Sequence, residues 1–321
     1  MLRTALIGGL LLCLAACAAP PAPGPQACSV ERVADLPTQQ HKGAVLVPAS
    51  INQTPVLMQV DTGTSLSTVS PGFASAYALP PDPHRHTVVH GIGGEVTTRN
   101  TLLWSFEVGG QLWTDQSFVT SPLARTFNLD EPVAGLFAAD FLSDFDVELD
   151  LPHHRITLWQ VNGCAGDFAF RGVPHWRMPL RRYQEAQMVA PVTVDGQQMT
   201  ALLDWGANVS VIKQSVAARL GVTAEQMQGD PVRKSRGADG NVVEAHVHRF
   251  PDLRIGPATF HNVRLEVAPI HDMNVDMLLG LNYARSRDLW LSYATDQLFV
   301  VRPVRPGAPR AQQATVTRSP G

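Results

Sequence analysis

The sequence predicts an all-β protein made of two similar lobes that are related by a pseudo-twofold axis. Charged residues account for only 17% of the 321 residues, while glycine and proline contribute 25 each, and this composition favours short strands and turns over long surface helices. Runs of alternating apolar residues, separated by closely spaced turn residues, are typical of small β domains. An internal repeat further indicates that the same folding unit occurs twice in the chain.

The repeat consists of two blocks that keep nearly the same spacing. Residues 45–69 align without a gap with residues 188–212, at an offset of 143 residues. Residues 133–141 align with residues 275–283 at an offset of 142 residues. Because two separate blocks keep this spacing, chance similarity of turns does not explain it.

The ends of the two halves set the predicted domain boundaries. Alternating segments at 155–159 and 297–300 are expected to form the last half-buried strand of each half. We expect few helices, the clearest at 213–220 with a counterpart at 73–79. The predicted divisions are a signal peptide at 1–16, a Pro-rich tether at 17–40, a first lobe at 41–161, an interlobe linker at 162–179, a second lobe at 180–301 and a disordered basic tail at 302–321.

The first residues have the pattern of a secretory signal. Arg3 precedes an apolar run, residues 4–16, that is too short to span a bilayer as a helix. The run ends in Leu-Ala-Ala before Cys17, which resembles the lipobox of bacterial lipoproteins. This resemblance implies that Cys17 is acylated and holds the protein in the cell envelope, at the periplasmic face of the outer membrane. An ordinary secretory signal, cleaved after small residues, is the alternative.

Two cysteines, Cys28 and Cys164, are left once Cys13 is assigned to the signal and Cys17 to the lipid. Two thiols in an oxidising compartment predict one disulfide, which would join the end of the tether to the interlobe linker. Two independent thiols are the alternative.

The charge distribution argues against a nucleic-acid partner. The net charge is −3, and four arginines of the acid-free C-terminal tail contribute to it, so the rest of the chain is more acidic still. An acidic body is not expected to offer the basic surface that phosphate binding requires, so we expect no nucleic-acid partner.

Each half carries an Asp-Xaa-Gly triplet at the end of an apolar run. Asp61-Thr62-Gly63 in the first half matches Asp204-Trp205-Gly206 in the second. A single triplet is weak, since Asp and Gly are common in turns for local reasons. The repeated triplets, together with the block at 135–142, resemble the retropepsin-like and pepsin-like aspartic peptidases over nearly all of residues 41–301.

The resemblance implies two β-barrel lobes and an aspartic endopeptidase. In such chemistry one carboxylate takes a proton from water and one carboxylic acid polarises the peptide carbonyl, so two carboxyls must lie close together and share a proton. We expect Asp61 and Asp204 in a cleft between the lobes, where Gly63 and Gly206 let the backbones approach. The implied partner is a peptide or protein substrate, and we expect a monomer without a cofactor.

Each half also has a glycine-bearing turn where the family places a flap over the substrate. The predicted flap residues are Gly91, Ile92, Gly93 and Gly94 in the first half and Gly237, Asp239 and Gly240 in the second. Gly-Gly and Asp-Gly are strong hairpin signals. Two ordinary surface hairpins are the alternative reading.

Trp205 departs from the family pattern, which has Thr or Ser at this position. That hydroxyl braces the opposite Asp loop, so we expect the ring of Trp205 to pack there instead. Thr64 is expected to donate a hydrogen bond to Asp61, whereas Ala207 of the second half cannot, and this favours the ionised form of Asp61. Because Trp205 replaces this hydroxyl, the alternative function is that of a lipoprotein that binds peptides in the cleft without cutting them.

Several histidines lie two residues apart and could share a face of a strand, but no third ligand accompanies either pair at a fixed spacing. The pairs are His84 with His86 and His246 with His248. We therefore predict no metal site.

Overall fold

The computed structural model describes residues 27–91, 94–123, 127–184, 186–237, 240–270 and 273–301, and it confirms the all-β class. The strands are β1 (Ser29–Pro37), β2 (Gln39–His41), β3 (Ala44–Ile51), β4 (Thr54–Asp61), β5 (Thr68–Val69), β6 (Pro81–Gly91), β7 (Gly94–Val108), β8 (Gln111–Thr120), β9 (Val133–Ala138), β10 (Asp146–Asp150), β11 (Arg155–Asn162), β12 (His175–Pro179), β13 (Arg181–Tyr183), β14 (Gln187–Val194), β15 (Gln197–Leu203), β16 (Val211–Lys213), β17 (Val232–Arg236), β18 (Val242–Ile255), β19 (Ala258–Ala268), β20 (Met277–Leu279), β21 (Asp288–Ser292) and β22 (Gln297–Val301). The helices are α1 (Pro71–Ala76), α2 (Ala139–Leu142), α3 (Gln214–Arg219), α4 (Ala224–Gln228) and α5 (Leu281–Ala284), with a 3₁₀ turn at Leu151–His153. Within these described ranges, no helix has the length and apolar character needed to cross a membrane.

Each lobe is a barrel that the same strand order closes. In lobe 1 the order is β3-β4-β9-β5-β8-β7, and β3 returns to pair with β7. In lobe 2 the order β14-β15-β20-β16-β19-β18 repeats it, and β14 closes on β18. The edge strands β6 and β17 extend the barrels, each in a hairpin with the following long strand. The two similar β-barrel lobes are therefore confirmed.

A third sheet joins the lobes and has the same pseudo-twofold symmetry. Its strand order is β1-β11-β10-β21-β22-β12, so β10 of lobe 1 pairs with β21 of lobe 2 at the centre. Val147 lies opposite Leu291, and Leu149 lies opposite Leu289. All four side chains are buried. Burial of these apolar side chains, contributed by both strands of the central pair, fixes one lobe against the other.

Two strands of the third sheet lie outside the residue ranges predicted for the two lobes. β1 falls within the stretch expected to be a tether, 17–40, and β12 falls within the expected linker, 162–179. β1 pairs with β11 and buries Leu36, while β12 pairs with β22 and buries Met178. Neither strand has a long regular alternation, since a bulge interrupts β1 and β12 is only five residues long, so contacts with the distant sheet decide the conformation.

Strand β4 is buried on both faces, whereas its pattern predicts exposure of every second residue. One set of alternate residues faces the core, namely Val56, Met58 and Val60. Leu57 and Gln59 on the other face are also buried, at 1% and 2% exposure. Gln59 faces lobe 2, where it contacts the carbonyl of Gly206. Leu57, in contrast, is covered by other residues of lobe 1. Both kinds of burial come from partners distant in sequence, which a local alternation pattern does not show.

The two helices predicted in the sequence form near their expected positions. The first, at 71–76, is capped by the hydroxyl of Ser70, which accepts a hydrogen bond from the amide of Phe73. The second, at 214–219, ends before Gly221, whose φ of +90° lies in the left-handed region that favours glycine. Both helices are short, and each packs a buried side chain against its barrel.

A disulfide joins Cys28 to Cys164, the pair expected from the sequence. Their Cα atoms are 4.3 Å apart. The two strands are already paired at this point, because Ser29 of β1 lies opposite Asn162 of β11. The bond therefore clamps the outermost strand of the third sheet to its neighbour.

Removing this disulfide should lower the stability of the protein. The bond spans 136 residues of sequence, and a loop of that size corresponds to about 5 kcal/mol in the chain-entropy estimate. A variant carrying both Cys28→Ser and Cys164→Ser should therefore melt about 10 °C below the wild type. Thermal unfolding of the variant and of the oxidised wild type under non-reducing conditions measures this, and the reduced wild type should melt like the variant. Superimposable melting curves of the variant and the oxidised wild type would contradict the assignment of a stabilising role.

Candidate active site

The two Asp motifs lie at equivalent ends of the two barrels. β4 ends at Asp61, which lies beside Ala138 of the parallel strand β9. β15 ends at Leu203, directly before Asp204, whose amide donates a hydrogen bond to the carbonyl of Leu279 at 3.0 Å. Because the barrel wall fixes where each strand ends, it also fixes where each Asp loop begins.

Each aspartate side chain lies against the glycine of the opposite motif. A Cβ atom on Gly63 would come closer than 3.0 Å to the carboxyl carbon of Asp204, and one on Gly206 would overlap the carboxyl of Asp61 in the same way. Only a residue without a side chain leaves room for such an approach. The two carboxyls are thus brought to the contact between the two loops, and both line one cleft.

The cleft has a volume of about 580 Å³, a size typical of ligand sites. Residues of both lobes line it, among them Thr64, His90, Pro122 and Leu136 from lobe 1 and Val211, Arg233, Val242 and Leu278 from lobe 2. The apolar part of this mixed lining can bind substrate side chains, while the two carboxyls can accept and donate protons.

The two carboxyls are held by different donors. Asp61 accepts from the amide of Gly63 at 2.9 Å and from the hydroxyl of Thr64 at 3.1 Å. Asp204 accepts from the amide of Ala207 at 2.9 Å. The hydroxyl donor expected for Asp61 is therefore in place, whereas Ala207 serves Asp204 through its backbone.

Thr62 bridges the two motifs. Its hydroxyl donates to the carbonyl of Leu203 at 2.8 Å and accepts from the backbone amide of Trp205 at 3.0 Å. The Trp205 side chain is only 2% exposed and belongs to the main hydrophobic core. Trp205 thus meets the opposite loop with its backbone, and its ring fills the core.

Two buried glutamines that the sequence analysis did not single out also reach across the interface. Gln59 Nε2 donates to the carbonyl of Gly206 at 3.1 Å. Gln187 Nε2 donates to the carbonyl of Gly63, and the Ser65 hydroxyl donates to Gln187 Oε1 at 2.9 Å. A signal existed for Gln59, since a polar residue two positions before Asp61 interrupts an apolar run.

The expected flap of lobe 1 is the hairpin of β6 and β7. The strands stay paired up to Gly91 and Gly94, and His90 beside them lines the cleft. The intervening flap residues, Ile92 and Gly93, lie outside the described residues.

The expected flap of lobe 2 is the hairpin of β17 and β18, and it reaches over to lobe 1. Gly237 lines the cleft, and Gly240, at a φ of +79°, lies so close to Pro122 of lobe 1 that a Cβ would come within 3.0 Å of that ring. Asp239 lies outside the described residues. This contact places Gly240 of lobe 2 against lobe 1.

The closely spaced histidines of lobe 2 contact protein groups. His246 Nδ1 lies 2.8 Å from the carbonyl of Met227, and His248 Nδ1 lies 2.6 Å from a carboxylate oxygen of Asp230. These contacts tie β18 to the segment around α4, which is a structural role.

One group of side chains that does not line the cleft has the composition of a metal site. Asp150, His153 and Asp288 bring their ligand atoms within 4.8 Å of one another. Arg155 donates to Asp150 at 3.1 Å, and His153 already lies 2.7 Å from the same carboxylate. A guanidinium in this position opposes a second cation, so the group fits a structural ion pair.

Behind each Asp loop the lobes share an equivalent hydrogen bond. The Ser67 hydroxyl donates to Asp140 at 2.7 Å, and the Ser210 hydroxyl donates to Asn282 at 2.9 Å. Burial raises the pKa of Asp140 from 3.8 to about 6, against the lowering effect of hydrogen bonds from Ser67 and Phe141. Lobe 1 therefore has an ionisable group where lobe 2 has a neutral amide.

The pKa of Asp140 predicts a contribution to stability that falls as the pH rises. The folded-state value of about 6 exceeds 3.8, so the folded chain binds this proton more tightly than the unfolded chain. The stabilising contribution is complete below about pH 4 and is lost as the pH rises through about 6. The loss is at most about 3 kcal/mol of unfolding free energy, because Asp140 is only partly buried and solvent weakens the effect. Between pH 4 and 8, Asp140→Asn should therefore lose less unfolding free energy than the wild type in urea titrations.

The reverse change in lobe 2 is a matched control. Asn282 is exposed, so a carboxyl introduced by Asn282→Asp stays solvated and should add little pH dependence. If Asp140→Asn lost stability with pH as steeply as the wild type, the assignment to Asp140 would be wrong.

Two β-barrel lobes that bring two aspartates into one cleft have the architecture of an aspartic peptidase. A family model of aspartyl proteases matches the chain twice, at residues 47–141 and 190–283, which together make up more than half of it. The chain therefore belongs to this aspartyl protease family, in a two-lobed single-chain form. A search of the curated proteins finds no match.

Proposed function

We propose that the protein is an aspartic endopeptidase in which Asp61 and Asp204 together activate one water molecule. The observation that carries this proposal is the reciprocal approach of each carboxyl to the glycine of the opposite motif, within one cleft. Membership of an aspartyl protease family supports it. The chemistry needs two carboxyls that share a proton, and two lobes of one chain supply them.

In the proposed reaction Asp61 starts as the carboxylate and Asp204 as the acid. The Thr64 hydroxyl supports this assignment, because a donated hydrogen bond favours the ionised carboxyl. Asp61 takes a proton from water as the water oxygen bonds to the peptide carbonyl carbon, and Asp204 gives its proton to the carbonyl oxygen. Asp61 then passes its proton to the leaving nitrogen as the C–N bond breaks, and Asp204 recovers a proton from the intermediate.

Turnover of a peptide library at acidic pH tests the proposal. Because water attacks directly, the amine and carboxyl products of one peptide should appear at the same rate in a single turnover. An early burst of amine would indicate a covalent intermediate and contradict the mechanism. Peptide binding without cleavage across the acidic range would favour the non-hydrolytic peptide-binding lipoprotein.

We also propose that the mature chain begins at an acylated Cys17 and is anchored at the periplasmic face of the outer membrane. Cys17 lies outside the described residues, and the proposal rests on the lipobox-like run before it. Mass spectrometry of the mature N-terminus tests it. A free amine at a residue other than Cys17 would contradict it.

A further inference from the structure

We infer that Gln59 and Gln187 are positioning residues that hold the two Asp loops against each other. The hydroxyl of Thr62, which bonds to the opposite Asp loop, has no counterpart in lobe 2, because the equivalent position 205 is tryptophan. The hydrogen bonds between the loops are therefore not symmetric, and the two glutamines complete them. The inference rests on the proposed function, since loop position affects turnover only if the two aspartates are catalytic.

Thr62 donates its side-chain hydrogen bond from lobe 1 to lobe 2. Its side chain belongs to lobe 1 and donates to the carbonyl of Leu203 in lobe 2. The equivalent residue of lobe 2, Trp205, has no hydroxyl, and its ring is buried in the core. The return connection from a lobe 2 side chain is made by Gln187, which donates to the carbonyl of Gly63 in lobe 1.

The two glutamines have equivalent targets. Gly63 and Gly206 match in the repeat, and the carbonyl of each accepts a hydrogen bond from a glutamine of the other lobe. Both glycines also lie against the carboxyl of the opposite motif. A shift of either carbonyl therefore moves the backbone that packs on a catalytic carboxyl.

The glutamines themselves occupy positions that do not correspond. At the 143-residue offset, Gln59 matches Leu202 and Gln187 matches Ala44. Leu202 and Ala44 are both fully buried. An apolar residue therefore suits each position in one lobe, while the other lobe has a buried glutamine there.

Packing alone does not explain a glutamine at these positions. Gln59 is 2% exposed, and its Oε1 is buried without a hydrogen-bond partner among the described residues. An unpaired buried oxygen is unfavourable, and leucine would avoid it. The feature that glutamine adds is the Nε2 donor, which bonds to Gly206.

Gln187 is the better position for an experiment. It is buried, at 3% exposure, and it is not among the residues that line the cleft. The Ser65 hydroxyl bonds to its Oε1, which orients Nε2 toward Gly63. A substitution of Gln187 is therefore expected to affect the reaction rate by shifting the Asp loop of lobe 1, without removing a contact to the substrate.

Gln187→Met tests the inference, because methionine has a similar length and no strong donor. We expect kcat to fall at least about tenfold while KM stays within about twofold of the wild type, since misplacing catalytic groups lowers the rate of the chemical step. Gln184→Met is the matched control. Gln184 is exposed, and its Oε1, 3.1 Å from the Ser65 oxygen, competes with that of Gln187 for the single hydroxyl proton, so its loss should leave both constants near the wild-type values.

Gln187→Glu gives a readout that a merely structural role would not produce. A protonated carboxyl donates to Gly63 as the amide does, whereas a carboxylate cannot. Activity relative to the wild type should therefore be highest at low pH and fall as the pH rises, while Gln187→Met stays low throughout. If Gln187→Met does not fold, Gln59→Met carries the same expectation for kcat.

Two results would overturn the inference. A folded Gln187→Met enzyme with wild-type kcat shows that the brace is not needed. A Gln187→Glu profile that parallels the wild type at every pH shows that the donated hydrogen bond is irrelevant. A wild type that cleaves no peptide removes the proposed function itself, which separates that failure from this one.

Discussion

Replacing either Asp61 or Asp204 with asparagine should abolish peptide cleavage and leave the fold intact. Asparagine has the same size but neither accepts nor gives up the shared proton, so kcat should fall at least about 1000-fold in each variant. Because the two carboxyls act as one unit, the double variant should be no less active than either single variant. Steady-state cleavage of one peptide measures all three.

Asp144→Asn is the control for these variants. Asp144 is exposed on the surface of lobe 1, so its amide variant should retain wild-type kcat and KM. Circular dichroism and thermal unfolding establish that each variant is folded. Substantial activity in either folded dyad variant would remove that aspartate from the mechanism.

Thr62→Val should lower both stability and turnover. Valine matches threonine in shape but loses the hydroxyl, so the carbonyl of Leu203 and the amide of Trp205 are left buried without this partner. Each unpaired group costs about 1–3 kcal/mol of unfolding free energy. We also expect kcat to fall at least about tenfold, since the brace sets the distance between the Asp loops.

Thr62→Ser keeps the hydroxyl and should restore most of the activity. Thr114→Val makes the same chemical change at an exposed position of β8 and should alter neither kcat nor the unfolding free energy appreciably. Urea unfolding and steady-state kinetics on the three variants measure these effects. Equal loss in Thr62→Ser and Thr62→Val would show that the methyl contacts matter and the hydrogen bonds do not.

The repeated part of the fold could be predicted from sequence because both copies carry the same information. The blocks around Asp61 and Asp204 keep their spacing, and that spacing follows from the barrel, in which β4 pairs with β9 and β15 with β20. The same strand order closes both barrels. A motif that is too weak to interpret alone can be recognised when it recurs at the same spacing.

The third sheet could not be predicted in the same way. β1 follows a proline-rich stretch, and β12 follows a stretch with several glycines. They become strands because β11 and β22 offer unpaired edges to them. Stabilisation of this kind comes from partners far along the chain, and local propensity does not reveal it.

The site shows the same division between repeated and unique features. Asp61, Asp204, Gly63 and Gly206 follow from the repeat. Gln59 and Gln187 do not, since their counterparts Leu202 and Ala44 are apolar and the shared targets lie in the other lobe. The burial of the Trp205 ring in the core was likewise not predictable from a motif comparison, which reads position 205 as part of a loop.

The pH dependence of kcat/KM tests the central claim most directly, that one ionised and one protonated carboxyl act together. It is best measured in the Asp140→Asn background, because the pKa of Asp140, about 6, would add a second titration to the profile. We expect a bell-shaped profile with an acidic and a basic limb, since the dyad works only while it holds one proton. A profile with one limb, rising to a plateau as the pH increases, would show that a single base suffices and would contradict the account.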